Sequence, residues 1–91
     1  MSPKVHLPVA LRKYCGGAAD VPVSAATVGE ALRELEQTQP ALYPNLCDET
    51  GKLRRHLNVF VNSDHIRDRD GLDTKLKDGD VVTILAAVSG G

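Results

Sequence analysis

A single amphipathic helix set between short strand-like segments is the feature that most limits how this chain can fold. Thr27 and Glu30 form a capping-box pattern, in which each side chain satisfies a backbone N–H group at the start of a helix. The apolar residues at helical spacing after it are Val28, Ala31, Leu32 and Leu35. Pro40 ends the helix at about Gln39. One helix with one apolar face needs a sheet to cover that face.

Four segments around the helix show the apolar–polar alternation that is typical of strands. In chain order they are 5–9 (with Val5, Leu7 and Val9 on one side), 20–23, 57–61 and 81–85. We expect residues 10–19 to form a loop, and residues 78–80 to form a tight turn that opens the last strand. Residues 40–56 are predicted to be irregular, with Leu42 and Leu46 packed under the core.

The order strand, strand, helix, strand, turn, strand closes a core only if the helix crosses one face of a mixed sheet. This order predicts an α+β fold of the β-grasp type, with a mixed sheet of four to five strands and one main helix. We expect residues 1–87 to form the β-grasp domain and residues 88–91 to form a flexible C-terminal tail.

Size and composition exclude several function classes. A chain of 91 residues makes one small domain, in which a deep catalytic cleft is not expected. Eleven basic and twelve acidic residues, with 3% aromatics, argue against a nucleic-acid binder. The sequence shows no apolar run of membrane-spanning length, no signal pattern and too few cysteines for a disulfide scaffold. We therefore expect a cytoplasmic protein with no nucleic-acid or membrane partner.

Other polar residues give weaker signals. Cys15 and Cys47 are interpreted as packing residues rather than redox or thiol-relay groups, and two cysteines cannot supply the four ligands of an iron–sulfur cluster. The histidines lack metal-ligand spacing, so no metal site is predicted. Lys52, Arg54 and Arg55 form a small basic cluster. It is either an ordinary solvated surface or a contact for an acidic partner.

The strand alternation also predicts a partner-docking patch. One side of segments 57–61 and 81–85 faces the helix, so Phe60, Val81 and Leu85 point away from it. An apolar cluster on the open face of a sheet is typical of a docking surface. The alternative is that a loop or the segment 43–56 covers these three side chains.

The last four residues of the sequence are Val88, Ser89, Gly90 and Gly91. A Gly-Gly end is either a frayed terminus or a segment that enters a narrow channel of another protein, since glycine lacks a Cβ atom. Together with Asp78-Gly79-Asp80 and Asn58-Val59-Phe60-Val61-Asn62, this ending resembles the ubiquitin-like sulfur carriers of the thiamine and molybdopterin pathways. The resemblance covers nearly the whole chain. The spacing from 78–80 to the final Gly-Gly is its most specific part.

The resemblance implies a carrier and not an enzyme. A ubiquitin-activating-type enzyme would use ATP and Mg to adenylate the carboxylate of Gly91, and a persulfide relay would convert it to a thiocarboxylate. Val88, Ser89 and Gly90 would thread the tail into the partner. The chain itself would bind no cofactor. Its partners would be the activating enzyme and a sulfur-accepting synthase.

The extra segment 43–56 separates this chain from the shorter thiamine-type carriers. It makes the chain resemble the molybdopterin-synthase small subunit, and most of all the carriers that supply sulfur for cysteine biosynthesis. Cysteine-type or molybdopterin-type biosynthesis is therefore favoured over thiamine. Two other classes stay open. One is a protein modifier joined through Gly91 to target lysines, and the other is a non-catalytic β-grasp interaction domain.

Overall fold

The computed structural model describes residues 2–86 and contains two α-helices and five strands within that range. In chain order these are β1 (Lys4–His6), β2 (Asp20–Pro22), α1 (Val28–Thr38), α2 (Tyr43–Leu46), β3 (Leu57–Val61), β4 (Asp64–His65) and β5 (Val81–Ala86). Short 3-10 helices cover Val9–Cys15, Ile66–Asp68 and Gly71–Asp73. None of the helices in residues 2–86 has the length and apolar character needed to cross a membrane.

The five strands form one mixed sheet in the order β2-β1-β5-β3-β4. The first and last strands are parallel neighbours at its centre, where Val5 lies opposite Val82. The other pairings are antiparallel, and in the longest of them Val59 lies opposite Ile84. Parallel neighbours need a long crossover, and here it includes α1. The α+β fold of the β-grasp type, predicted with four to five strands, is confirmed.

Helix α1 begins and ends close to where the sequence predicts. The hydroxyl of Thr27 accepts a hydrogen bond from the backbone N–H of Glu30 (3.2 Å), as in a capping box. The carboxylate of Glu30 accepts from the Thr27 hydroxyl (3.3 Å) rather than from a backbone N–H group. The helix ends at Thr38, and the backbone N–H of Gln39 caps it by donating to the carbonyl of Leu35.

The core lies between α1 and one face of the sheet. All four predicted apolar positions of the helix are buried, and Leu35 is fully so. The sheet contributes fully buried aliphatic side chains, and so does Leu7 just after β1; those of the sheet are Val5, Val59, Val61, Val82 and Ile84. Leu42 and Leu46 are also fully buried and close one end of the core, which confirms their predicted packing.

A segment before β5 holds the N-terminal end of α1. The carbonyl of Thr74, a fully buried residue, accepts a hydrogen bond from the backbone N–H of Val28 (3.0 Å). Next to it, a Cβ atom placed on Gly29 would lie 3.2 Å from the carbonyl oxygen of Leu72. The absence of a side chain at Gly29 therefore permits the close approach of this segment to the helix.

Two local predictions were wrong. The first strand does not reach Val9, which is 76% exposed and begins a 3-10 helix through the segment predicted as a loop. Pro8 supplies no backbone N–H to continue the strand, while its carbonyl accepts from Leu11 (3.0 Å) and starts the turn. Segment 40–56 is not wholly irregular, because it contains α2, a single helical turn with Pro44 near its start.

Candidate functional site

The residues to which the resemblance assigns chemistry lie outside the described part of the chain. They are Val88, Ser89, Gly90 and Gly91. The structure nevertheless places Ala86, the last residue that it describes. Ala86 pairs with Leu57, the first residue of β3, and therefore lies beside the beginning of that strand.

A polar clasp fixes the other end of β5. Asn62 adopts a left-handed backbone conformation (φ 56°), and its side-chain oxygen accepts from the backbone N–H of Val81 (3.1 Å). Its amide nitrogen donates to Asp80 (3.1 Å), whose other carboxylate oxygen accepts from the backbone N–H of Lys77 (2.9 Å). The hydrogen bonds from Lys77 and then Asn62 lower the pKa of Asp80. This clasp sets the register of β5 and hence the position of its far end.

The predicted docking residues Phe60, Val81 and Leu85 all lie on the face of the sheet opposite α1. Leu85 is 45% exposed, while Phe60 and Val81 are half-buried. Their exposure agrees with the alternation of the strands, and their role in docking stays a prediction. The patch is not purely apolar, because Thr83 lies between Val81 and Leu85 along β5 and pairs with Phe60 on β3. Strand alternation contains this signal, since Thr83 shares the parity of its two neighbours on that face.

His65 borders the open face beside Phe60. The two rings meet edge to face, with 4.9 Å between centroids and an interplanar angle of 68°. Nδ1 of His65 accepts from the backbone N–H of Arg67 (3.0 Å), and Nε2 lies 3.1 Å from the side-chain oxygen of Asn58. Since Nδ1 accepts, Nε2 is the ring nitrogen in position to donate to the Asn58 oxygen. Sequence reasoning missed this residue, because a strand of two residues is too short to show a period.

A charged group borders the opposite side of the open face. Nδ1 of His6 lies 2.7 Å from one carboxylate oxygen of Asp20, and Nζ of Lys4 lies 3.8 Å from the other. The hydrogen bond from His6 is the main reason that the pKa of Asp20 is lowered. The open face therefore has apolar residues at its centre and polar groups at both margins.

Neither cysteine has the properties of a reactive thiol. Cys47 belongs to the buried core and Cys15 packs against it, which confirms the packing interpretation. Burial raises the pKa of both thiols, so the nucleophilic thiolate is disfavoured. Cys47 also lines a groove of about 1050 Å³ between α1 and α2, on the side of the molecule away from the docking residues. In residues 2–86 no three histidine, cysteine or acidic side chains are grouped as metal ligands.

The fold defines the class of protein. A mixed sheet with its first and last strands parallel at the centre and one main helix across one face is the β-grasp fold of ubiquitin-like proteins. The chain matches the ThiS family over residues 5–91, and it belongs to that family.

Similar proteins cover the full length of this chain. Sulfur carrier protein CysO of Mycobacterium tuberculosis is 40% identical over 93 residues, which include 100% of each chain. A chain in the crystal structure of the BexX/CysO complex of Amycolatopsis orientalis superposes with a TM-score of 0.88 and 39% identity, covering 99% of this chain and 100% of that one. Small archaeal modifier protein 3 of Haloferax volcanii is 39% identical over 66 residues, or 72% of this chain and 71% of its own. These relatives are carriers and modifiers rather than catalysts, in agreement with the prediction that this chain is not an enzyme.

Proposed function

We propose that this protein carries sulfur as a thiocarboxylate on the C-terminal carboxyl group of Gly91. The observation that carries the proposal is the family match through residue 91, together with 40% identity to a named sulfur carrier along the whole chain.

The first chemical step is activation of the terminal carboxylate. A carboxylate oxygen of Gly91 attacks the α-phosphorus of ATP, supplied with Mg by the activating enzyme, and pyrophosphate leaves. The product is an acyl adenylate, in which AMP is a good leaving group. All the catalytic groups for this step belong to the partner, so the chain needs no cofactor of its own.

The second step places sulfur on the acyl carbon. A persulfide of the relay attacks that carbon, and AMP leaves with the electrons of the broken carbon–oxygen bond. A second thiol of the relay then attacks the sulfur of the relay cysteine in the resulting acyl disulfide; the S–S bond breaks, the thiocarboxylate leaves with its electrons, and a disulfide remains on the relay. The thiocarboxylate sulfur is a better nucleophile than a carboxylate oxygen, so it can be delivered to an acceptor.

The tail and the body have separate roles in this proposal. Residues 1–87 form the body, and residues 88–91 form the flexible tail that enters the partner. Val88, Ser89 and Gly90 thread the channel that leads to the adenylation site. Two glycines at the end suit a narrow channel, because glycine adopts backbone angles and close approaches denied to other residues.

The open face of the sheet is the proposed docking surface for the activating enzyme. Phe60, Val81 and Leu85 lie on β3 and β5, and the beginning of β3 pairs with the end of β5 at Leu57 and Ala86. A partner that covers this face can therefore also receive the tail. A relative named CysO occurs in a complex with a second protein, BexX, which supports a protein partner of this kind here.

The sulfur acceptor belongs to a biosynthetic synthase. Likeness to CysO favours the cysteine type, with the molybdopterin type next and the thiamine type last. The acceptor is selected by the synthase, since the carrier presents the same terminal group to each.

Intact-mass measurement tests the proposal directly. Incubation with the matched activating enzyme, ATP, Mg and a sulfur donor should add the mass of one sulfur-for-oxygen exchange at the terminus. A variant lacking Gly91 should show no adenylation and no exchange. Its thermal stability should stay unchanged, because the last core residue described is Ile84. Normal adenylation of the shortened chain would exclude Gly91 as the reacting residue.

A second candidate function is protein modification. Small archaeal modifier protein 3 is 39% identical to this chain over 66 residues, and that observation favours the candidate. Conjugation would join the activated Gly91 carbonyl to a lysine amine of a target with loss of AMP. Lysine-linked adducts in cell extract, without the sulfur-for-oxygen exchange, would favour this function over sulfur carriage.

A further inference from the structure

The basic cluster Lys52, Arg54 and Arg55 lies shortly before β3 in the chain. All three residues are exposed, and they line one shallow surface depression. Arg55 is two residues before Leu57, which pairs with Ala86 at the end of β5. In the sequence 30 residues lie between Arg55 and Ala86, so only the sheet register brings Arg55 and the last described residue close together.

The backbone of this cluster is held in place by its own hydrogen bonds. The carboxylate of Asp48 accepts from the backbone N–H groups of Thr50 (2.9 Å) and Lys52 (3.1 Å). Arg54 donates from its backbone N–H to the carbonyl of Leu46 (2.9 Å) and from Nε to the carbonyl of Pro44 (2.7 Å). The cations therefore project from a fixed turn.

Two of the three cations have no partner within the described residues. Arg54 is already used to hold α2. Across residues 2–86, the side chains of Lys52 and Arg55 make no ion pair within 4.0 Å. The carboxylate of Asp48 is occupied by the turn, and Glu49 lines the groove between α1 and α2 instead. Lys52 and Arg55 are thus available to an external anion.

The length of segment 87–91 indicates which part of a partner would contact these cations. Residues 87–91 span at most about 18 Å when fully extended. Arg55 lies near Ala86, the last described residue, and the carboxylate of Gly91 is five residues further along the chain. A partner that receives the tail would therefore bring the entrance of its channel, not its nucleotide, against the cluster.

We infer that Lys52 and Arg55 bind an acidic surface at the channel entrance of the activating enzyme and orient the tail for entry. The inference rests on the proposed function, because it needs a partner that takes up residues 87–91. The occupant is a protein surface bearing aspartate or glutamate side chains. The whole chain is close to neutral, with a net charge of −1, so a cluster of three cations differs from the rest of its surface. Such a cluster steers an acidic partner toward this side of the molecule.

Charge reversal at this cluster gives the test. The double variant Lys52→Glu/Arg55→Glu should raise the KM for the carrier in pyrophosphate release by about tenfold or more and leave kcat unchanged, since rim charges act mainly on association. Lys52→Gln/Arg55→Gln should show a smaller rise in the same direction. Raising the ionic strength from about 0.05 M to about 0.5 M should raise the KM of the wild-type chain more than the KM of the double-Glu variant, because salt screens the attraction between charges.

The matched control is Arg67→Glu/Lys75→Glu, which makes the same change in net charge. Both residues are exposed and lie in the stretch between β4 and β5, beyond the opposite end of β3. This control should keep the wild-type KM. Equal KM values in all variants, with normal adenylation, would overturn the inference alone. A changed KM for ATP would overturn it in favour of a nucleotide contact, and no adenylation of the wild-type chain would overturn the proposed function as well.

Discussion

The two faces of one sheet differ sharply, although the residues that form them alternate along the same strands. Toward α1, β3 and β5 present Val59, Val61, Val82 and Ile84, all fully buried. On the other side the same strands present apolar and polar residues together, and none of them is fully buried. The residues of the covered face must fill the space between the sheet and α1. The residues of the open face need only suit a strand. The open face is therefore free to serve contact with another protein.

The largest expected effect is on the covered face. Leu35→Ala should lower the free energy of unfolding by about 2–5 kcal/mol, because Leu35 is fully buried and its truncation leaves a cavity. Chemical denaturation measures this loss. Leu35→Met, which nearly conserves volume, should cost less than about 1.5 kcal/mol. Similar values for the two variants would show that the helix face is not tightly packed.

The clasp at the start of β5 should come next. Asn62→Ala removes two side-chain hydrogen bonds and leaves a non-glycine residue at φ 56°, for a combined loss of about 1–3 kcal/mol. Asn62→Gly keeps the backbone conformation free of strain and isolates the hydrogen bonds. If Asn62→Gly matched the wild-type stability in denaturant, the clasp would contribute nothing to holding β5.

A smaller effect should depend on pH. The pKa of Asp80 is lowered in the folded chain by hydrogen bonds from Lys77 and Asn62, so its stabilising contribution is present above the unfolded pKa. That contribution is lost as the pH falls below about 4 and through the folded pKa. As the pH falls through this window, the Tm of the wild-type chain should fall more steeply than the Tm of Asp80→Asn. Parallel curves would argue against the clasp as the cause of the shift.

The smallest effect on stability is expected on the open face. Leu85→Thr should change the free energy of unfolding by no more than about 0.5 kcal/mol, because Leu85 is 45% exposed and threonine suits a strand. Ile84→Thr, one residue earlier and fully buried, should cost several times more. On the proposed function, Leu85→Thr should also raise the KM for adenylation. An unchanged KM would remove Leu85 from the docking surface.

Local patterns predicted most of the elements. The capping box and the helical spacing locate α1 within one residue, and alternation assigns the two faces of β3 and β5 correctly. The β1 prediction was wrong at Val9, which begins a 3-10 helix. The alternation of apolar residues does not show whether Val9 has a neighbouring strand to pair with. The four-residue α2 was missed because one turn is too short to display a helical period.

The features of the candidate site also fall into those that the sequence predicts and those that depend on strand pairing. The parity of Phe60, Val81 and Leu85 follows from the sequence, but their separation by Thr83 and the contact of Phe60 with His65 depend on pairing between strands. The basic cluster is visible in the sequence as a run of cations. Its place beside the start of the tail follows only from the pairing of Leu57 with Ala86.

By itself, the sequence determined the helix, the strand faces, the family resemblance and the Gly-Gly ending, because each depends on residues close together in the chain. Tertiary structure alone decided the strand order, the clasp between Asn62 and Asp80, and the pairing of Leu57, shortly after the basic cluster, with Ala86 at the end of β5. The physical reason is that hydrogen-bond register joins segments far apart in sequence, and local periodicity does not encode which segments become neighbours.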